Sequence, residues 1–261
     1  MFYFPQLSSG ATGQFPITRQ RSARTVVNQS CQGYQVKLAD PGAAITSWHL
    51  SFEEMSDEEL AALEALFQAV GGRLTPFTFL DPVDNLLAWS EQQNQAVWQA
   101  DPLLTLTGGV ADPMGGTSAY QVSNPTAATL TLQQSINAPA SLDYCLSLYA
   151  RSDQSPQVWL VRGSATEARA ISPQWTRLIS FGQLQDTADS ISFGIALDPN
   201  TTVDIFGIQV EAQIAASLYK QTFETGGVYP NARFQDDTLT FTTVGPSRYS
   251  CEVDIVNVEY L

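Results

Sequence analysis

Histidine is almost missing from this sequence: His49 is the only one in 261 residues. A Ser-His-Asp or Cys-His arrangement would have to be built around that residue. It lies between Trp48 and Leu50 in an alternating pattern, where the plainer role is a surface or subunit-contact histidine. Cysteine is scarce too. Cys31, Cys145 and Cys251 are odd in number and far apart, with no C-x-x-C pair and no metal spacing, so they read as buried free thiols. The HExxH, GxSxG, Walker A and dinucleotide-binding glycine patterns do not occur. A glycosidase needs only two carboxylates, but no pair here is marked out by its setting. The expectation is a protein without catalytic residues.

Long apolar runs are also absent. None approaches the roughly 18 residues that span a bilayer, so no membrane insertion is expected. The opening MFYFPQLSSG lacks a basic-then-apolar leader and reads as a mature start, for a chain made and folded in a cytoplasm. Positive charge is the other shortage, with 12 Lys and Arg against 26 Asp and Glu and a formal charge of −14. The imbalance is spread evenly. Five cations face nine acids over 1–84, five face eleven over 85–222, and two face six over 223–261. That balance favours solubility and excludes a nucleic-acid footprint, which would be basic.

What is present is mostly strand. In SWHLSFEEM, Trp48, Leu50 and Phe52 alternate with Ser47, His49 and Ser51, the period of a half-buried strand. The period then changes. Ser56 and Glu59 form a capping box, and Met55 and Leu60 a hydrophobic staple. Leu60, Leu63, Phe67 and Val70 follow at helical spacing, and Gly71-Gly72 supplies the stop. One helix is expected, Asp57 to Val70.

From Arg73 onward short apolar runs alternate with turn signals. The expected strands include TLTLQQSI, DYCLSLYAR, QVWLVRG, TRLISFGQL, SISFGIAL, TVDIFGIQVEA, DTLTFTTV and RYSCEVDIVNVEYL. Strands at this spacing imply a sandwich or jelly roll. The fold class is therefore mainly β, with a β-rich domain carrying the helix and interrupted by an inserted β-sandwich.

Candidate binding residues come from the middle of the chain. If Leu146 and Leu148 point inward, Tyr149 and Arg151 share the opposite face, and Trp159 is expected on a neighbouring strand. Flat rings with polar neighbours suit stacking on sugars, so Tyr149, Arg151 and Trp159 are the glycan-binding candidates. Trp89, Trp98 and Trp175 read as core. No cofactor is expected. Asp112, in the ADPMGG turn, and Glu211, at a strand end, are the only candidates for a structural calcium, the plainer role of Asp112 being a turn carboxylate.

Two motif sets resemble known families. Phe52, Met55, the acidic helix, Gly72, and then Pro76, Phe77, Phe79, Asp81, Pro82 and Asp84 resemble the N-terminal region of tailed-bacteriophage distal tail proteins. The related minor tail proteins of siphophages and gene-transfer agents share that pattern. FPITRQRSARTVVNQS fits the family's early strand and arm. From Asn85, NLLAWSEQQNQAVWQ and DPMGGTSAYQVSN resemble the opening of carbohydrate-binding-module-like jelly rolls of phage tail and fibre proteins. Trp175-Thr176-Arg177, Gly207 to Glu211 and Ser217 to Thr222 resemble their closing patterns. The residues from Phe223 resemble the rest of the tail family, with a V-x-V-E finish.

The resemblance implies a discontinuous tail-ring domain, 1–84 and 223–261, with a jelly roll inserted at 85–222. No Gly/Ser spacer separates Asp84 from Asn85, so a stiff seam is expected. The implied role is a structural virion protein at the phage tail tip, forming a homohexameric ring between the tail tube protein and the tip hub proteins. Its module would face host-surface polysaccharide, where several weak sites gain by avidity. Arg19, Arg21 and Arg24 are the candidate subunit or tube contacts. A docking module that binds no sugar, and a soluble carbohydrate-active hydrolase, are the alternatives.

Overall fold

In the computed structural model, residues 1–154, 156–184 and 186–258 are described. They form sixteen strands and one helix. The chain opens with β1 (Ile17–Gln29), β2 (Gln35–Met55), α1 (Asp57–Val70) and β3 (Phe77–Leu80). Ten strands follow: β4 (Gln99–Ala100), β5 (Thr105–Val110), β6 (Ala119–Asn124), β7 (Leu130–Ile136), β8 (Asp143–Arg151), β9 (Gln157–Arg162), β10 (Ala165–Ala170), β11 (Thr176–Gln183), β12 (Ile191–Leu197) and β13 (Thr201–Glu211). The chain closes with β14 (Val228–Phe234), β15 (Phe241–Gly245) and β16 (Arg248–Val258). Glu259, the last residue of the V-x-V-E pattern, lies outside the described residues.

Two compact units result. The first comprises Met1–Leu7, Gly13–Phe79 and the segment from Tyr229 onward; the second comprises Ser8–Thr12 and Leu80–Val228.

The first unit is one sheet, ordered β1-β2-β16-β14-β3, with β15 paired to β16. Alternation along β2 puts Trp48, Leu50 and Phe52 inside, each at most 2% exposed. Phe4, Phe77, Phe79 and Phe234 complete an aromatic core, with Phe4 edge-on to Phe79 at 5.4 Å and Phe77 against Phe234 at 4.9 Å. Helix α1 forms where the spacing predicts. The Ser56 hydroxyl accepts from the Glu59 amide, Glu59 Oε2 accepts from the Ser56 amide at 2.8 Å, and Gly71 closes the helix at φ 66°. A left-handed residue at that position suits glycine, which has no Cβ to clash.

Strand β2 begins twelve residues before the Ser47 that opens the anticipated run, at Gln35, pairing with β1 as far as Gln29↔Gln35. This part is exposed on both sides, so no alternation announces it. Its turn carries Cys31, which is exposed, whereas Cys145 and Cys251 are buried. The expectation of three buried thiols fails at Cys31, because the ribbon has no core in which to bury it.

The second unit is a β-sandwich of two antiparallel five-stranded sheets, ordered β10-β9-β12-β7-β4 and β11-β8-β13-β6-β5. Tyr144, Leu146, Leu148 and Ala150 of β8 meet Ile191, Phe193, Ile195 and Leu197 of β12 in one core. The Tyr144 and Phe193 rings cross between sheets at 5.2 Å. Each aliphatic side chain buried this way contributes about 1.5–3 kcal/mol. Strand β10, ATEARA, was not anticipated: an edge strand of small and charged residues carries little periodicity.

Candidate functional site

Because β8 sends its even-numbered residues inward, Cys145, Ser147, Tyr149 and Arg151 face outward from the second sheet. Register fixes what stands beside them. Tyr149 lies opposite Arg177 of β11 on one side and Phe206 of β13 on the other, while Arg151 lies opposite Asp204 and Ser147 opposite Gln209. On β6, Gln121 lies opposite Asp204 and Ser123 opposite Thr202. A bulge at Gly207, φ 63°, inserts one residue between Phe206 and Gln209. It lets Phe206, Gln209 and Glu211 face outward while Ile205, Ile208 and Val210 remain in the core.

One end of this face is covered. Over it lies the segment that follows β13, with the Tyr219 ring 5.2 Å from Phe206. Glu211, 1% exposed, accepts from the Ser217 amide at 2.9 Å, the Ser217 hydroxyl at 2.5 Å, Gln209 Nε2 at 2.7 Å and Lys220 Nζ at 3.0 Å. Burial raises the Glu211 pKa, but the hydrogen bonds from Ser217 and the ammonium of Lys220 outweigh it, holding the carboxyl below its ordinary value. Burial pushes the neighbouring Cys145 thiol up to about 12, with the Glu211 charge adding to it. Such a thiol is unreactive at neutral pH.

The other end is open. Arg151 and Asp204 form an ion pair, Nε to Oδ2 at 3.0 Å, and Gln121 Nε2 donates to Asp204 Oδ1 at 3.3 Å. Together with Ser152, Gln154 and Thr202 they line a polar cavity of about 330 Å³. Beside the cavity the Arg151 guanidinium lies 4.7 Å from the centre of the Trp175 ring; further along β8, next to Phe206, the Arg177 guanidinium lies 5.6 Å from that of Tyr149. Arg177 Nη2 also donates to Ser147 Oγ at 2.9 Å. The open end thus combines a flat ring with a carboxylate, an amide and a guanidinium, the last three on paired strands. Such a surface can hydrogen-bond hydroxyls while rings pack against apolar C–H faces.

Of the sequence candidates, Tyr149 and Arg151 share this face. Trp159 does not join them: β9 belongs to the opposite sheet, and the Trp159 indole donates to Asp198 Oδ1 at 2.9 Å. The expectation of a neighbouring strand fails because the connection from β8 to β9 crosses between sheets. Trp175, read as core from the sequence, is partly exposed on the Arg151 guanidinium, whereas Trp98 is core and Trp89 packs partly buried against it. Trp175, Arg177, Asp204 and Gln121 were missed. The one available signal was that residues 175 and 177, two apart at the start of a strand, fall on the same side.

Arg19, Arg21 and Arg24 all lie on β1, opposite Trp48, Thr46 and Asp40, and Arg24 is ion-paired with Asp40. His49 Nδ1 is 2.8 Å from Asp254 Oδ1 in the first unit. Asp112 Oδ1 accepts from the amides of Met114 at 2.8 Å and Gly116 at 3.0 Å, and Oδ2 from that of Ser118 at 3.0 Å, as a turn carboxylate does. Among the described residues no group of three or more His, Cys, Asp and Glu side chains is placed to hold an ion.

No protein-family model matches the chain, and no curated protein matches it. Solved structures do resemble it. The CBM22-1 xylan-binding domain of Paenibacillus barcinonensis Xyn10C is 14% identical, covering 51% of this chain and 97% of that one, with a TM-score of 0.41. The enzymatically active domain of bacteriophage CBA120 tailspike protein 4 is 13% identical over 51% of this chain and 22% of that one, at 0.38. TmCBM61, solved with β-1,4-galactotriose, is 10% identical over 48% of this chain and 97% of that one, at 0.37. Each of these likenesses spans about half of this chain.

Proposed function

We propose that this chain is a non-catalytic virion protein of a phage tail tip, assembled in the host cytoplasm, whose sandwich unit binds host-surface polysaccharide. Its first unit forms a homohexameric ring joining the tail tube protein to the tip hub proteins. The glycan half of this proposal is carried by the open end of the sheet face, where Arg151, stacked on the Trp175 ring, lines a polar cavity with Asp204 and Gln121. The tail half is supported by the motif run from Phe52 to Asp84 and by a sheet whose β1 edge is left unpaired among the described strands. Open edges of this kind are natural sites for joining subunits.

An array of bacterial surface polysaccharides probed with the full-length chain is expected to give a defined set of bound glycans. Trp175→Ala is expected to weaken retention about tenfold or more, as loss of a central aromatic contact does. Uniformly blank wells would assign the sandwich a docking role without sugar, and release of shortened glycan would overturn the non-catalytic assignment. Light scattering and negative-stain imaging of the purified chain test the ring.

A further inference from the structure

The β1–β2 ribbon runs on past its sheet. Among the described residues β16 accompanies β2 as far as Val258↔Ile45, and from Arg24↔Asp40 to Gln29↔Gln35 β1 and β2 pair with each other alone. A lone two-stranded ribbon is marginally stable in water, and residues 20–39 are exposed throughout. Its faces are not alike. Val26 lies opposite Leu38, and two residues on Asn28 lies opposite Val36. Val26, Leu38 and Val36 therefore share one face, 36%, 52% and 56% exposed. The ribbon and its root in the sheet, residues 17–45, are also basic: Arg19, Arg21, Arg24 and Lys37 stand against Asp40 alone, a balance of +3 in a chain of −14, with Arg24, Lys37 and Asp40 in the two-stranded part.

The same unit carries the complement. A groove of about 450 Å³ runs along β2, β15 and β16, lined by Glu53, Glu252, Asp254 and the hydroxyls of Thr240 and Thr242, with no Lys or Arg among its lining residues. Among the described strands, β15 beside it pairs only with β16. The groove thus offers negative charge beside an unpaired strand edge.

We propose that the ribbon of one copy docks in this groove on a second copy. The proposal rests on the ring reading of the first unit and names its joint. Charge complementarity sets the occupant, since the basic ribbon and the acidic groove belong to the same unit of the same chain. Ribbon and groove are different surfaces, so the contact is head-to-tail and closes into a ring by rotation.

Charge reversal tests this on the full chain. The ribbon variant Arg21→Glu/Lys37→Glu and the groove variant Glu53→Lys/Glu252→Lys are each compared with the natural chain by light scattering, with unfolding temperature as the control for folding. Each variant alone is expected to associate about a hundredfold more weakly, because like charges meet at the joint. Mixed in equal amounts they are expected to reassemble, since the acidic ribbon of one meets the basic groove of the other and both joints alternate around the ring. Even-numbered assemblies of strictly alternating composition would establish the joint. Assemblies that persist in both single variants would overturn the ribbon docking and leave the ring standing. A natural chain that stays monomeric at high concentration would overturn both.

Discussion

The two ends of one sheet face show how the same kind of residue serves two purposes. At the covered end, the buried Gln209 and Glu211 are hydrogen-bonded by Ser217 and Lys220 of the segment that follows β13. At the open end, Arg151, Asp204 and Gln121 stand on the adjoining strands with similar chemistry and no such cover. Burial separates them. A polar group sealed from water must be satisfied internally and becomes part of the fold, whereas a half-satisfied group at the rim of a cavity retains capacity for a ligand. The comparison predicts that substitutions at the covered end are read as stability and those at the open end as binding.

The largest stability effect is expected from Glu211→Ala. It strips Lys220 and Ser217 of their acceptor inside the covered end, and breaking a buried pair of this kind costs about 3 kcal/mol. Urea denaturation of the full chain would measure it, and a loss below about 1 kcal/mol would place Glu211 with exposed ion pairs instead. The pH dependence has a defined sign. The folded pKa of Glu211 is depressed, so its contribution is fully present above the ordinary value of 4.5 and fades as pH falls through the lower folded value. The acid limb of the stability curve is expected to flatten in Glu211→Gln.

A smaller loss follows from Gly207→Ala. The bulge residue sits at φ 63°, and an added Cβ would meet the Tyr219 ring at 3.0 Å. Left-handed backbone for alanine costs about 1–2 kcal/mol. The same ring anchors the covering segment, with the Tyr219 hydroxyl 2.7 Å from Ser90 Oγ, so the variant is expected to loosen that cover as well. Faster hydrogen exchange of the amides of Ser217 and Lys220, with the open end unchanged, would be the readout.

Local signals made the helix and six of the ten sandwich strands, β7, β8, β9, β11, β12 and β13, legible from sequence. The capping box at Ser56 and Glu59 is a contact between residues three apart, and the alternation along β8 is set by one core face. The site was only half legible. Tyr149 and Arg151 share a strand, so period two places them together, but nothing local says that β9 crosses to the other sheet and removes Trp159. Asp204 and Gln121 come to Arg151 through the pairing of β13 with β8 and β6, which depends on strand order. The ribbon escaped for another reason. Exposed on both faces, it had no burial pattern to display.

The smallest stability effect, and the one that decides the comparison, is expected from Asp204→Asn. The side chains of Arg151 and Asp204 are 31% and 17% exposed, and Arg151 keeps its stack on Trp175 when the carboxylate is lost. Partly hydrated pairs of this kind contribute at most about 1 kcal/mol, so the unfolding midpoint should barely move. Glycan retention should nevertheless fall about tenfold, because the substitution replaces one of the two carboxylate acceptors at the cavity with an amide donor. Glu211→Gln should give the reverse pattern, a lower midpoint with retention unchanged after correction for the folded fraction. If both variants lose stability and binding in the same proportion, the two ends act as one structural network and the open end has no separate role.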